Sequence, residues 1–146
     1  MSTGRFFVLR LRQGEILHET VESFAAEKGI TNASVSAVGG ADDRSEIVMG
    51  PRDGSARPIE PILHRLDGVH EMAGVGSIFP DEDSNPILHM HASFGRDGRS
   101  VTGCVRAEVR VWLVMEVLIQ ELLGGGATRV MDPESGFALL EVNHDQ

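Results

Sequence analysis

The chain has one cysteine, one lysine and no apolar run free of charge that is long enough to cross a bilayer. Each shortage excludes something. Cys104 alone cannot close an internal disulfide, so the 146 residues must be held together by a hydrophobic core, and that length suits one domain with a substantial core. The opening residues show no basic segment followed by an apolar run, so the sequence predicts no secretory leader and a reducing, cytoplasmic setting. The most apolar stretch, residues 109–123, is interrupted by Arg110, Glu116, Gln120 and Glu121, which excludes an ordinary membrane-spanning helix.

Positive charge is also short, with 13 Lys plus Arg against 22 Asp plus Glu and a formal net charge of -9. Nucleic-acid binding draws on Lys and Arg that displace counterions from the phosphates, so an acidic chain whose single lysine is Lys28 is a poor direct binder. The exception would be a local gathering of Arg44, Arg52, Arg57 and Arg65 on one surface. No Lys-Ser/Thr pair follows Gly124-Gly125-Gly126, so that run reads as a turn and not as a phosphate loop. The segment 132–136, Asp-Pro-Glu-Ser-Gly, reads as a second turn.

What is present is strand after strand and one helix. Leu17, Val21, Phe24 and Ala25 recur at three- and four-residue spacing within residues 16–28 and so share a helical face, with Gly29 placed to end the helix and His18 and Glu22 turned outward to solvent. Strands are predicted over residues 5–11, 33–38, 46–49, 59–66, 69–79, 87–94, 100–105, 109–122 and 137–142. One helix among many strands defines an α+β fold, mostly antiparallel, in a single domain over residues 1–146 with its core from about residue 5 to 142. There is no internal repeat and no linker-like segment.

Two Asp-Gly pairs between apolar runs signal two-residue hairpins, and each sets a register. A turn at Asp97-Gly98 opposes Phe94 to Val101, Ala92 to Gly103 and Met90 to Val105 on an apolar face. The other face then carries Ser93 opposite Thr102, His91 opposite Cys104 and His89 opposite Arg106. Opposed residues have Cβ atoms about 4.5–5.5 Å apart, so two imidazoles and a thiol fall within reach of one ion. That set suits zinc and leaves a fourth position for water or substrate. The same residues also suit the wet face of a hairpin, and Cys104 beside His91 has the outline of an activated nucleophile without a third, orienting group.

The second pair, Asp67-Gly68, opposes Leu66 to Val69, Arg65 to His70 and His64 to Glu71, an arrangement that reads as a surface His–carboxylate pair or as a general base. Glu116 stands alone among Val114, Met115, Val117 and Leu118, and a charge there requires a partner: an arginine, or the His–Cys site to which it would add a carboxylate.

Nearly the whole chain, about residues 5–142, resembles the plant and prokaryote conserved (PPC) domain family. The resemblance is carried by Gly14-Glu15 at the helix start, the Val35-Ser36-Ala37-Val38-Gly39-Gly40 strand, His89-Met90-His91, Asp97-Gly98 before Thr102-Gly103, Glu116 in the long strand, and residues 132–136. It implies a compact α+β domain that associates as a homotrimer with the histidine site near subunit boundaries. Prokaryotic relatives commonly carry His where this chain has Cys104. The substitution keeps a metal-competent side chain and softens the donor set, which favours zinc over magnesium or calcium, with iron as another candidate. The basic Arg-Gly-Arg-Pro hooks of plant relatives are missing here, and of their Gly-Arg-Phe-Glu-Ile segment only Gly68 and Glu71 remain. The expected function is therefore a zinc-binding homotrimer that binds or transforms a small molecule, with His89, His91 and Cys104 as ligands and Glu116 and Arg106 lining the site. The alternative is a regulatory module acting with DNA or with transcription proteins.

Overall fold

Residues 1–142 are described by the computed structural model; the expected domain limits include residues 143–146, which lie outside the described residues. In chain order the elements are β1 (Ser2–Arg12), α1 (Leu17–Lys28), β2 (Ala33–Ala41), β3 (Glu46–Pro51), β4 (Pro61–Arg65), β5 (His70–Pro80), β6 (Pro86–Arg96), β7 (Arg99–Glu108), β8 (Val111–Leu123), β9 (Ala127–Met131) and β10 (Ala138–Val142). Helix α1 buries Leu17, Val21 and Ala25, while Phe24 is half-buried and meets Phe7 edge-on with ring centroids 5.3 Å apart. Gly29 ends the helix at φ 63, a left-handed conformation in which its N–H reaches Ala26 O, while Ile30 N–H reaches Ala25 O.

Eight strands form one sheet in the order β1-β8-β2-β5-β6-β7-β3-β4, with every neighbouring pair antiparallel. Alternation gives the sheet two unlike faces. The inner face sends Val35, Ala37, Met90, Ala92, Phe94, Met115, Val117 and Ile119 into one core with the helix residues Leu17, Val21 and Ala25. Burying a side chain such as Phe94 or Met90 contributes about 1.5–3 kcal/mol, and a row of them fixes the register of each strand. The outer face carries the histidines at one end and exposed Val8, Val38, Val75 and Leu118 at the other.

The Asp97-Gly98 hairpin forms as the sequence predicts, with Arg96↔Arg99, Phe94↔Val101, Ala92↔Gly103 and His91↔Cys104 in register. The Asp67-Gly68 hairpin does not form. Strand β4 pairs instead with β3, through Glu46↔Arg65 and Ile47↔His64, and three strands separate it from β5 in the sheet. Leu66 has already spent the backbone groups that a hairpin would use: its N–H donates to Ser45 O and its carbonyl accepts from Arg44 N–H. Gly68 takes φ 83 in a bend, and its N–H donates to Asp43 Oδ1 at 2.8 Å. His64 and Glu71 are therefore not opposed.

Strand β9 is an addition to the sequence reading. It pairs with β10 in a separate two-stranded sheet, and the predicted turn over residues 132–136 joins the two, closed by Gly136 N–H to Asp132 O at 2.8 Å. Five residues that include a buried arginine give too little apolar alternation to announce a strand.

Candidate metal centre

The alternation that packs Met90 inward turns His89 and His91 outward together on β6, and the hairpin register brings Cys104 on β7 directly opposite His91. The ligand atoms offered by His89, His91 and Cys104 all lie within 4.8 Å of one another. Zinc bonded to nitrogen at about 2.0–2.1 Å and to sulfur at about 2.3 Å holds its tetrahedral ligands roughly 3.3–3.6 Å apart, so small side-chain rotations close the set around one ion. The two imidazoles stand at 90° with centroids 5.0 Å apart. His91 is exposed, whereas His89 and Cys104 are half-buried, which leaves one side of the cluster open.

The rings are also chemically ready. Among the described residues the one imidazole with a protein hydrogen-bond partner is His70, 2.9 Å from Gly68 O, so the lone pairs of His89 and His91 are uncommitted. Burial lowers the His89 pKa, and the charges of Arg129, His91 and Arg106 lower it further. A neutral imidazole is the metal-binding form.

The remaining residues of interest fall in different places. Arg106 lies two residues beyond Cys104 on the same face of β7, but the β6–β7 pairing ends at His91↔Cys104, so the extrapolated His89–Arg106 pair is not formed; its guanidinium rests over the Phe137 ring at 6.0 Å. Glu116 is exposed on β8 with Arg10 and Val38 as its cross-strand neighbours. It shares the outer face with the histidines, yet β2 and β5 intervene, a separation of about 14 Å at ordinary strand spacing. His18 and Glu22, expected to be solvated, are half-buried. Glu22 Oε1 accepts the Leu88 N–H at 2.8 Å, and burial raises its pKa, because the β9–β10 hairpin adds a wall that the helix pattern alone does not reveal.

Sequence reasoning missed Arg129. This residue of β9 is 5% exposed, donates from Nη2 to Ser77 Oγ at 3.3 Å, and lies over the Phe79 ring at 6.0 Å. Ser77 is the β5 residue directly opposite His89. The available signal was a charge flanked by Ala127, Val130 and Met131 in a short apolar segment, a pattern that requires the charge to be buried with something.

Residues 1–123 match the Plants and Prokaryotes Conserved (PCC) domain, and the chain belongs to that family. No curated protein matches the sequence. Among solved structures it is similar to a plant- and prokaryote-conserved protein from Pyrococcus horikoshii, at 27% identity and a TM-score of 0.83 over 96% of this chain and 93% of that one. It is also similar to a metal-containing protein from Archaeoglobus fulgidus, at 29% identity and a TM-score of 0.78 over 94% of each chain. A protein from Ralstonia eutropha JMP134, provisionally named as DNA-binding, shares the fold at 22% identity and a TM-score of 0.73 over 96% of this chain and 97% of that one.

Proposed function

We propose that the protein is a zinc-binding homotrimer that binds a small molecule, with His89, His91 and Cys104 as the protein's metal ligands. The observation that carries this reading is the convergence of two uncommitted imidazoles and one thiol within 4.8 Å on an open sheet face. The thiol makes the donor set soft, which favours zinc over the oxygen-seeking cations. Three protein ligands leave a fourth position for water or for a donor atom of a bound molecule, where a metal polarises whatever it holds. Having a metal-containing protein among its solved relatives supports the same reading.

The trimer is supported by the outer face. Phe6, Val8, Val38, Val75 and Leu118 are 39–71% exposed on adjacent strands of that face. Exposed apolar side chains spread over four adjacent strands suit a protein–protein surface, and the position of Val75 opposite His91 would set the metal near a subunit boundary. Among the described residues nothing comparable supports a nucleic-acid surface. Of the four arginines that could have gathered into a basic patch, Arg44, Arg52 and Arg65 are paired with Asp43, Glu60 and Glu46, and Arg57 donates to the Gly54 and Ala56 carbonyls.

The test is elemental analysis of protein purified without an affinity tag, then dialysed after zinc addition. One zinc per chain is expected for the wild type, and far less for Cys104→Ser. Equal stoichiometry in the two proteins, or no metal in the wild type, would sink the reading. Tight, competitor-resistant retention of a defined duplex at physiological salt would move the function to the regulatory class.

A further inference from the structure

Beside the histidine face lies a cleft of about 450 Å³ between α1, the start of β6 and the β9–β10 hairpin, a volume suited to a small molecule. Arg106, Arg129, His18, Glu22 and Phe137 are among its walls. Among the described residues, two buried side-chain polar atoms lack a hydrogen-bond partner, His18 Nδ1 and Arg129 Nε, and both belong to this cleft. Buried polar groups are ordinarily satisfied, and a buried cation is ordinarily paired.

The cleft's acidic residues do not supply the pairing. Glu22 accepts the Leu88 N–H, Glu82 accepts the Met131 N–H, and Asp81 accepts from the backbone of Asp83 and from both the backbone and side chain of Asn85. Neither Arg106 nor Arg129 has a carboxylate within 4.0 Å among the described residues, although seven other cation–carboxylate pairs form there. Each guanidinium instead lies over the face of an aromatic ring, Phe137 for Arg106 and Phe79 for Arg129, with Cζ 6.0 Å from the ring centroid in both cases. A cation–π contact uses none of the guanidinium N–H groups and leaves them to bind planar or tetrahedral oxyanions. Burial lowers the Arg129 pKa, as does the positive charge of Arg106.

We propose that Arg129 and Arg106 form an oxyanion subsite adjoining the metal centre, so that the small molecule bound there carries a carboxylate or a phosphate. This rests on the metal-centred reading for the identity of the neighbouring site, but not for the anion contacts themselves. Arg129 reaches the metal side through Ser77, the cross-strand partner of His89, and Arg106 reaches it along β7 from Cys104. An anion between the two guanidinium groups would satisfy Arg129 Nε and give the cleft a charge-assisted anchor.

Inorganic phosphate and acetate are the probes, titrated calorimetrically into zinc-loaded, dialysed protein and into metal-free protein. Saturable binding of at least one of them is expected in both forms. Arg129→Gln should weaken it by about 10- to 100-fold, the worth of a hydrogen-bonded charge, with zinc content unchanged. Arg106→Gln should weaken it severalfold, and Arg99→Gln, at the hairpin tip, should leave it unaltered. Tighter phosphate identifies a phosphoester class of ligand, and tighter acetate a carboxylic acid. Binding of neither probe overturns the proposal, as does binding that Arg129→Gln leaves intact, which would assign the anion to the metal alone. Should Arg129→Gln fail to fold, Arg129→Lys and Arg106→Gln decide: wild-type affinity in both refutes the subsite. Arginine-dependent binding in a protein that takes up no zinc would retire the metal reading and leave the subsite standing.

Discussion

Met90 and His91 are neighbours in sequence and face opposite ways, so strand β6 allows fold and site to be perturbed separately. Met90 is 1% exposed within the core, and Met90→Ala removes most of a buried side chain, at a cost of about 2–5 kcal/mol. For a chain of this size each kcal/mol moves the melting temperature by about 2–4 °C, so the metal-free variant should melt roughly 4–20 °C below wild type. His91 is exposed, and His91→Ala should change the metal-free stability by no more than about 0.5 kcal/mol. Zinc affinity should show the opposite sensitivity. Losing a partner that merely orients a ligand weakens metal binding by about 10- to 100-fold, so losing a ligand should exceed about 100-fold. Zinc at a hundred times its dissociation constant would stabilise the wild type and Met90→Ala by about 2.7 kcal/mol, and His91→Ala very little. Thermal melts with and without zinc, together with competition against a chromophoric chelator, read both quantities. If the two metal-free variants melt alike, or if His91→Ala keeps wild-type zinc affinity, the two-faced account of β6 is wrong.

Gly76→Ala should destabilise the fold by about 1–3 kcal/mol, since an added Cβ would stand 2.4 Å from His89 O and 2.7 Å from Met90 Cα, backbone atoms that cannot yield cheaply; an unchanged melt would show that β5 and β6 separate more freely than their packing implies. Arg5 holds the Glu121 carboxyl at a pKa of about 2 against an ordinary 4.5, through hydrogen bonds from its side chain and backbone N–H. A depressed carboxyl contributes stability above its unfolded pKa and loses it as pH falls, so Glu121→Gln should flatten the stability curve between pH 4.5 and about 2 and leave its slope above pH 6 alone. Identical acid limbs in the two proteins would show that the pair does not outlast solvent screening. Val75 is 71% exposed, so Val75→Glu should cost an isolated chain little while opposing burial between copies; light scattering should find the mass of a trimer for wild type and a lower mass for the variant, and a wild-type monomer at micromolar concentration would remove the subunit-boundary account.

The inner half of this architecture was legible because it obeys short periods. Leu17, Val21 and Ala25 announced the helix face, and Asp97-Gly98 announced both the hairpin and its register through His91↔Cys104. The same dipeptide misled at residues 67–68, where the preceding Leu66 is tied by its backbone to Ser45 and Arg44. Nothing local distinguishes the two Asp-Gly pairs; the partner of β4 is decided by which edge of the sheet lies free, a property of the assembled fold. The sequence signals that Arg129 is buried, but its partners were illegible for a related reason. Its position depends on the β9–β10 hairpin folding back over Phe79 and Ser77, and the contacts that hold it join segments about 50 residues apart.

A single cross-strand line connects the features that matter for function. Val8 opposes Leu118, Leu118 opposes Ser36, Ser36 opposes Val75, Val75 opposes His91, and His91 opposes Cys104. Every side chain on this line points outward, because the inward neighbours Val35, Ala37, Met90 and Val105 are fixed in the core. The apolar end is what a second copy of the chain would cover, and the polar end is what a metal would organise. Covering Val75 would place foreign surface beside His91, narrowing the open side of the three-ligand set and excluding water from it. Charges in such a site act more strongly than they do on an open sheet, so association, metal binding and recognition of an oxyanion by Arg129 would reinforce one another.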